Sequence, residues 1–493
     1  MRKSATAKGL AALSLSAVLL SGCVSLDPAY QRPAGAVPTA WPTGAAYAPA
    51  AATDHPASAI GWQDFFADPK LKAVIQQALA NNRDLRVAVA NVVAARAQYG
   101  IQRSALLPTI DAAANAQYAR EPLSVLGDTS PGAIQSNGGK DYVYERVYTA
   151  GLQASNYELD LFGRVQSLSR SAFDQYLATE EAQRAAQITL VSQVAAAYLT
   201  LGSDRALQRV AEDTAKSGGD YLNLTQRRFD AGVASQLDVR QAETTIDQAK
   251  ADLARYTTAV AQDRNALELL VGAPVSDDLM PDDVQDQVTL LADLPAGLSS
   301  NVLLQRPDVL EAEDQLKAQN GQIGAARAAF FPAITLTGQG GVTSTSLAQL
   351  FTGASKAWSF TPSISLPIFT GGLNTANLHH AKAERDVYLA QYDKAVQTAF
   401  REVADALAQR GQIDGQLAAE QALVDAAADS LRLSQASYER GASSYLNVLT
   451  AQVTLYNARQ GLIATRLTRS VNLVTLYTAL GGGLDTSAAT AMR

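Results

Sequence analysis

The chain has 493 residues, 18% charged, 47% hydrophobic and 6% aromatic, with 40 Lys+Arg against 47 Asp+Glu for a formal charge of -7. The charged share lies below the ~25% of ordinary soluble domains, much of the apolar share is small, chiefly Ala, and an acidic chain has no basic field to neutralise phosphates, which argues against nucleic acid as a partner. One cysteine, Cys23, and three histidines, His55, His379 and His380, exclude an internal disulfide framework and a multi-Cys metal site and leave little for catalysis.

The N-terminus carries Arg2, Lys3 and Lys8, then an apolar run from Gly9 to Leu20. The run is shorter than the ~20 residues that span a bilayer and has the length of a secretory signal core. It ends on Leu20-Ser21-Gly22-Cys23, which resembles a bacterial lipobox. The resemblance implies a leader over 1–22 and a lipid on Cys23. Val24, where lipoproteins kept at the inner membrane usually carry Asp, implies the outer membrane. Over 23–62, Pro28, Pro33, Pro38, Pro42, Pro49 and Pro56 forbid helix and predict an extended, lipidated tether.

The body is duplicated. Gly100 to Ile110 aligns with Gly324 to Ile334 at an offset of 224, and Phe229 to Val239 with Tyr438 to Val448 at 209. Leu161-Phe162 aligns with Ile368-Phe369 at 207, so the first copy carries an insertion 17 residues longer between Pro108 and Leu161. The copies are predicted over 63–272 and 299–481, joined by 273–298 with Pro274, Pro281, Pro295 and the acids Asp277, Asp278, Asp282 and Asp283; a tail follows over 482–493.

Each copy opens with a predicted helix, Leu71 to Leu106 and Asp308 to Phe331, stopping before Pro108 or Pro332. The period then becomes two. Trp358, Phe360, Ile364 and Leu366 alternate with Ser359, Thr361, Ser363 and Ser365, as Ile334 and Leu336 do with Thr335, Thr337 and Gln339. Tyr148, Ala150 and Leu152 against Thr149, Gly151 and Gln153 repeat this in the first copy. A soluble sandwich and a lipid-facing barrel both fit that pattern. Pro362 disfavours a regular interior strand and predicts a bulge or bend. Next come two Pro-free helical stretches, Arg164 to Ala231 and Leu373 to Arg440, each long enough to reach ~100 Å. They break at Gly232 and Gly441 and resume at Ser235 and Ser444, which predicts two long helical hairpins.

The first return limb carries a seam at Val239, Ala242, Ile246, Ala249, Leu253 and Tyr256. The second carries a seam at Leu446, Leu449, Val453, Tyr456, Ile463 and Val474, beside a weaker one at Val448, Ala451, Leu455, Ala458 and Leu462. A helix with two seams has a neighbour on each side, as a closed ring of helices requires.

These features, with Tyr157-Glu-Leu-Asp160-Leu-Phe-Gly-Arg164, Gln305-Arg-Pro-Asp308, Leu366-Pro-Ile-Phe-Thr370-Gly and Ala399-Phe-Arg-Glu402-Val-Ala-Asp405, resemble the outer membrane factors, the TolC-like family, in its lipoprotein branch. The resemblance implies a mainly α fold with membrane β. Long coiled-coil hairpins would form an α-barrel tunnel, four strands per chain would contribute to a shared twelve-stranded trimeric β-barrel, and a small mixed equatorial domain would lie between. Four strands cannot close a barrel alone, since the smallest has about eight.

No chemistry emerges beside this. His379 and His380 are adjacent and point ~100° apart on a helix, so they do not grip one metal. Gly338-Gln-Gly340-Gly341 lies in a strand pattern and fails as a phosphate cradle. The reading is no enzyme and no cofactor beyond the lipid on Cys23. The resemblance assigns a periplasmic gate to Asp238, Tyr438, Leu446, Asn447 and Thr450, the last two neutral where relatives carry acids, with Val453 where a lipoprotein relative has Arg. Ser235-x-x-Asp238 also reads as a capping box. It assigns docking of a periplasmic adaptor, and through it an inner-membrane pump of the RND type, to the tips Gly232, Val233, Ala234, Gly441, Ala442 and Ser443. The expected function is a homotrimeric exit duct for small molecules in the outer membrane. A duct for type I protein secretion is the alternative, and a lipidated periplasmic adaptor fits less well because it would show one hairpin and no duplicated strands.

Overall fold

A computed structural model describes residues 25–47, 60–122, 142–282 and 299–484. The lipobox residues Leu20, Ser21 and Gly22, and Cys23 itself, lie outside the described residues. In chain order the elements are helices α1 (Trp62–Phe65), α2 (Pro69–Asn81) and α3 (Arg83–Ser104), strands β1 (Asp111–Pro122) and β2 (Tyr142–Leu159), and helices α4 (Arg164–Asp230) and α5 (Gln236–Val271). The second copy supplies α6 (Pro307–Ala328), β3 (Ala333–Ser344), β4 (Lys356–Ser365), α7 (Leu373–Glu439) and α8 (Tyr445–Ala479). Two compact units divide the chain, one within 1–32, 94–176 and 314–389, the other within 33–93, 177–313 and 390–493, so each takes segments from both copies.

The first unit holds the sheet, an antiparallel meander in the order β1-β2-β3-β4. Its register puts Ala116, Tyr148 and Ser344 in one row, and Ala112, Leu152, Gly340 and Trp358 in another. The predicted apolar positions within the strands therefore fall on one face, with most of the Thr, Ser, Gln and Asn on the other. That apolar face is uncovered in the chain: Trp358 is 82% exposed, and Phe360, Ile364 and Leu152 are exposed too. Gly151 faces Gly341 across β2 and β3, and a Cβ on Gly341 would stand 2.2 Å from the Ala150 carbonyl oxygen, so a close backbone approach explains these glycines.

Pro362 corrects one expectation. It keeps the β3 register opposite Leu336, and the irregularity lies instead in β2 between Ala154 and Tyr157, where Asn156 has φ 53°. A residue without an N–H can hold that register only with its nitrogen turned to the open edge, and β4 is an edge strand.

At the strand-to-helix corner the Arg164 guanidinium pairs with Glu158, and the Asp160 carboxylate accepts from the Gln166 N–H at 2.8 Å, capping α4. Phe162 stacks on Phe331 with ring centroids 4.7 Å apart. The Pro-rich segment 25–47 forms no helix or strand, and it is fastened to the body. In the first unit Asp27 accepts from Ser167 Oγ at 2.5 Å and pairs with Arg170, and Arg327 donates to the Leu26 carbonyl at 2.8 Å. In the second, Trp41 stacks on Phe400 at 5.1 Å and the Thr39 carbonyl accepts from the Ser300 N–H at 3.1 Å.

The second unit shows a break that the helical pattern hides. The predicted Leu71 to Leu106 helix is two, because Asn82 is extended (φ -55°, ψ 135°) and its side-chain oxygen caps α3 at the Leu85 N–H, 2.7 Å away. Its amide donates to the Leu270 carbonyl in the last turn of α5 at 2.8 Å. The second copy repeats this at Arg306, which precedes Pro307 and donates to the Ala479 carbonyl at the end of α8, 2.7 Å away. Both breaks satisfy a carbonyl that a helix end leaves open. The acids of the linking segment are held as well: Lys70 meets Asp282 at 3.1 Å and Arg264 meets Asp277 at 2.7 Å, while Asp283 lies outside the described residues.

The hairpins turn where expected. Gly232 and Gly441 have φ of 75° and 74°, the left-handed conformation that ends a helix at little cost for Gly. The predicted seam of α5 is covered at Val239, Ala242, Ile246, Ala249 and Tyr256. On α8 both seams are used. Val448, Ala451, Leu455, Ala458 and Leu462, the seam read as weaker, are all buried, and the stronger one is buried at Tyr456, Ile463 and Val474 but open toward the tip at Leu446 (52% exposed) and Val453 (43%).

Candidate functional site

The candidate site is the junction of the four hairpin limbs at their tips, within the second unit. Tyr438, at the end of α7, is buried against Tyr445 and Val448 of α8 and Ala242 of α5, with Leu222 of α4 beside them. The two tyrosine rings lie 5.5 Å apart in an edge-on contact, and the Arg228 guanidinium sits 4.4 Å over the Tyr438 ring while donating to its carbonyl at 3.2 Å. One arginine thus joins the first limb of each hairpin. Burial, with Tyr438, Tyr221 and Asp238 nearby, pushes the Tyr445 hydroxyl up to about 12. The Tyr438 hydroxyl, Arg228 Nε and Ser443 Oγ are buried with no hydrogen bond among the described residues. A half-satisfied polar junction of this kind resists rearrangement poorly.

Asp238 makes the capping box. Its carboxylate accepts from the Ser235 N–H and hydroxyl, both at 2.9 Å, and its N–H donates to Ser235 Oγ at 3.2 Å. Leu446, Asn447 and Thr450 are exposed on α8, and the Thr450 hydroxyl is turned back to the Leu446 carbonyl at 2.9 Å. Tyr438 is therefore the predicted gate residue that the chain itself packs. Among the described residues, Asp238 and Thr450 bond only within their own helix ends, and no hydrogen bond or ion pair from another element holds the others. The tip residues Gly232, Val233, Gly441 and Ala442 are exposed, and Ala234 and Ser443 are half-buried.

Above the tips a second link escaped sequence reasoning. Tyr456 of α8 donates to Asp252 of α5 at 2.9 Å, Arg255 pairs with the same carboxylate at 3.0 Å, and Gln248 donates to it at 3.2 Å. Burial and that carboxylate raise the Tyr456 hydroxyl well above its ordinary value. Asp252 stands one step off the apolar seam, so a single sequence marks it as a solvated position. His379 and His380, on α7 in the first unit, are exposed, and His380 Nε2 lies 3.9 Å from Glu384.

A family model described as outer membrane efflux protein matches residues 74–273 and 298–482. The chain belongs to the outer membrane efflux protein family. The two matched stretches overlap the two copies and leave out most of the segment between them. The chain is 44% identical to the toluene efflux pump outer membrane protein TtgC of Pseudomonas putida over 97% of its length and 96% of the relative. It is 45% identical to the solvent efflux pump outer membrane protein SrpC of Pseudomonas putida over 96% and 98%, and 41% identical to the outer membrane protein OprJ of Pseudomonas aeruginosa over 98% and 97%. Among solved structures, the open state of the Neisseria gonorrhoeae MtrE outer membrane channel is 38% identical with a TM-score of 0.83, covering 94% of this chain and 99% of that one. A membrane protein from Pseudomonas aeruginosa is 38% identical with a TM-score of 0.85, covering 93% and 100%. Membership of this family accounts for the long hairpins, the four-stranded sheet and the glycine-turned tips as one architecture, that of outer membrane channel and transport proteins.

Proposed function

We propose that three copies of this chain close into a passive duct through the outer membrane, exporting small molecules passed on by an inner-membrane pump of the RND type. Each sheet supplies a third of the barrel, its apolar face to lipid and its polar face to water. The hairpins wall a tunnel through the periplasm, the segment 273–298 links the two copies in an equatorial belt, and the lipid on Cys23 adds a second hold on the membrane. An adaptor docks at Gly232-Val233-Ala234 and Gly441-Ala442-Ser443. The names of the relatives, toluene and solvent efflux, support small molecules over secreted proteins as cargo.

The observation that carries the reading is a contact half made. In the first copy the corner residue Phe162 stacks on Phe331, which ends the helical run before β3. The duplicates of that pair are Phe369 and Leu107, and they are 90% and 72% exposed. The duplication supports Phe369 of one protomer closing on Leu107 of the next, as β4 pairs with the next β1. With Leu107→Cys and Phe369→Cys, a bismaleimide should give a ladder ending at three times the mature mass, because acylated Cys23 has no free thiol; monomer bands alone would refute the ring. Mass spectrometry should find an acylated Cys23 at the mature N-terminus.

The gate is closed by neutral and apolar rings, Asn447, Thr450 and Leu446, with Asp238 as the remaining acid. Fewer like charges then face one another than in a gate with two acidic rings. In planar bilayers, Asn447→Asp with Thr450→Asp should introduce block by divalent cations from the periplasmic side. Asp238→Ala should reduce whatever block exists; no change there leaves Asp238 a helix cap alone.

A further inference from the structure

We propose that the end of the sheet remote from the helices binds the phosphorylated headgroup of a lipid through Arg120 and Arg146. This rests on the membrane reading above, in which the apolar face meets lipid. The register places both arginines on that face: Tyr118 stands opposite Arg146, and Arg120 opposite Tyr144. Every described Asp and Glu of the strands, Asp111, Glu121, Glu145 and Glu158, has the opposite parity and lies on the polar face. The apolar face therefore carries cations and no carboxylate, and Arg120 and Arg146 are exposed.

The arginines are framed by a built aromatic surface. The Arg120 guanidinium lies 3.9 Å over the Tyr142 ring, and Tyr142 meets Tyr144 edge-on at 5.4 Å. Tyr118 and Tyr148 share a hydrogen bond at 2.9 Å, with rings 5.9 Å apart. Tyrosines at this density on a lipid face mark the membrane-water boundary. Depth agrees. From Ile334, at the helix-proximal end, to Ser344, paired with Tyr148, ten residues cover ~33 Å along the strand, or roughly 25 Å across the membrane at the tilt of such barrels. Tyr148 thus lies at the rim of the apolar band, and Arg146 and Arg120 one and two rows beyond it, at the level of headgroups. A cation there has acyl chains below it, water above it and, among the described strand residues, no carboxylate on its face. Phosphate on a lipid satisfies all three conditions, and guanidinium suits it by paired donors. A soluble phosphate has no use for the apolar rows beneath.

The test uses the full-length, detergent-purified protein, its folding checked by conductance in planar bilayers. Native mass spectrometry would titrate it with an acylated diglucosamine bisphosphate, with the same lipid stripped of phosphate, and with water-soluble glucosamine phosphate. The native protein should retain the phosphorylated lipid most tightly. Arg120→Gln with Arg146→Gln should hold it roughly thirtyfold more weakly, as two interfacial cations are worth, and leave the stripped lipid unaffected. Arg120→Lys with Arg146→Lys should recover most of the difference. Equal retention of the two lipids, unchanged binding by the glutamine variant, or equally tight binding of the soluble phosphate overturns the inference while the duct stands. A chain that neither conducts nor takes up lipid overturns both.

Discussion

Arg306→Ala is expected to destabilise the chain by about 2–3 kcal/mol, less than the full loss for a buried ion pair because its partners are partly exposed. Arg306 is buried, and its guanidinium reaches Asp308 at 2.7 and 3.0 Å, Glu402 at 2.9 Å and the Ala479 carbonyl at 2.7 Å. Burial acts most strongly and disfavours the cation, but the two carboxylates together outweigh it and the net shift is upward. A cation whose folded pKa is raised stabilises the fold at every pH below its ordinary value, so this contribution is present throughout the physiological range. Arg306→Lys keeps the charge, loses the planar fork and should fall between. Thermal unfolding of the purified protein is the measurement, and an Arg306→Ala midpoint within a degree of native would sink the assignment. Asn82→Ala, its counterpart with one amide contact, should cost about 1–2 kcal/mol.

At the tips, Tyr438→Ala is expected to remove the packing that joins the limbs, costing about 3–5 kcal/mol locally, as for other buried aromatic truncations. Arg228 then loses the ring beneath it. Proteolysis at the Gly232 and Gly441 turns should accelerate, and conductance in planar bilayers should rise. Tyr438→Phe separates packing from hydrogen bonding. Since the hydroxyl bonds to nothing among the described residues, the chain's own stability should hold within about 0.5 kcal/mol. A conductance increase in Tyr438→Phe would report a hydroxyl contact supplied by a neighbouring copy. Unchanged proteolysis and conductance in Tyr438→Ala would show that the cluster does not close the tip.

The long limbs and their turns were legible because Pro-free stretches that end on Gly admit one reading. The strands were legible for a similar reason, since alternation survives wherever only one face is greasy. The break at Asn82 was not, because Asn does not interrupt a helical pattern and the break is explained by a carbonyl 188 residues away; at Arg306, before Pro307, the helix start was legible but the carbonyl 173 residues away that it serves was not. The Arg228 to Tyr438 contact, 210 residues apart, is hidden in the same way. On α8 both seams were visible with the same period. How far the chain covers each is a tertiary fact: the stronger seam is buried from Tyr456 onward and exposed at Leu446 and Val453. The gate assignment rests on family resemblance, and of the residues it names Tyr438 is the one buried among the described residues.

Pro362 bears on misassembly. A protomer that has folded its meander before meeting its siblings exposes two strand edges, and such edges invite unwanted pairing. The simplest dead end is two β4 edges joining each other antiparallel, which would set two residues without an N–H into one ladder. Pairing β4 with β1 sets only one there, because β1 carries no proline before Pro122 at its end. In the proposed ring, one missing donor thereby favours head-to-tail closure over a sterile dimer, at a loss of a single rung per junction.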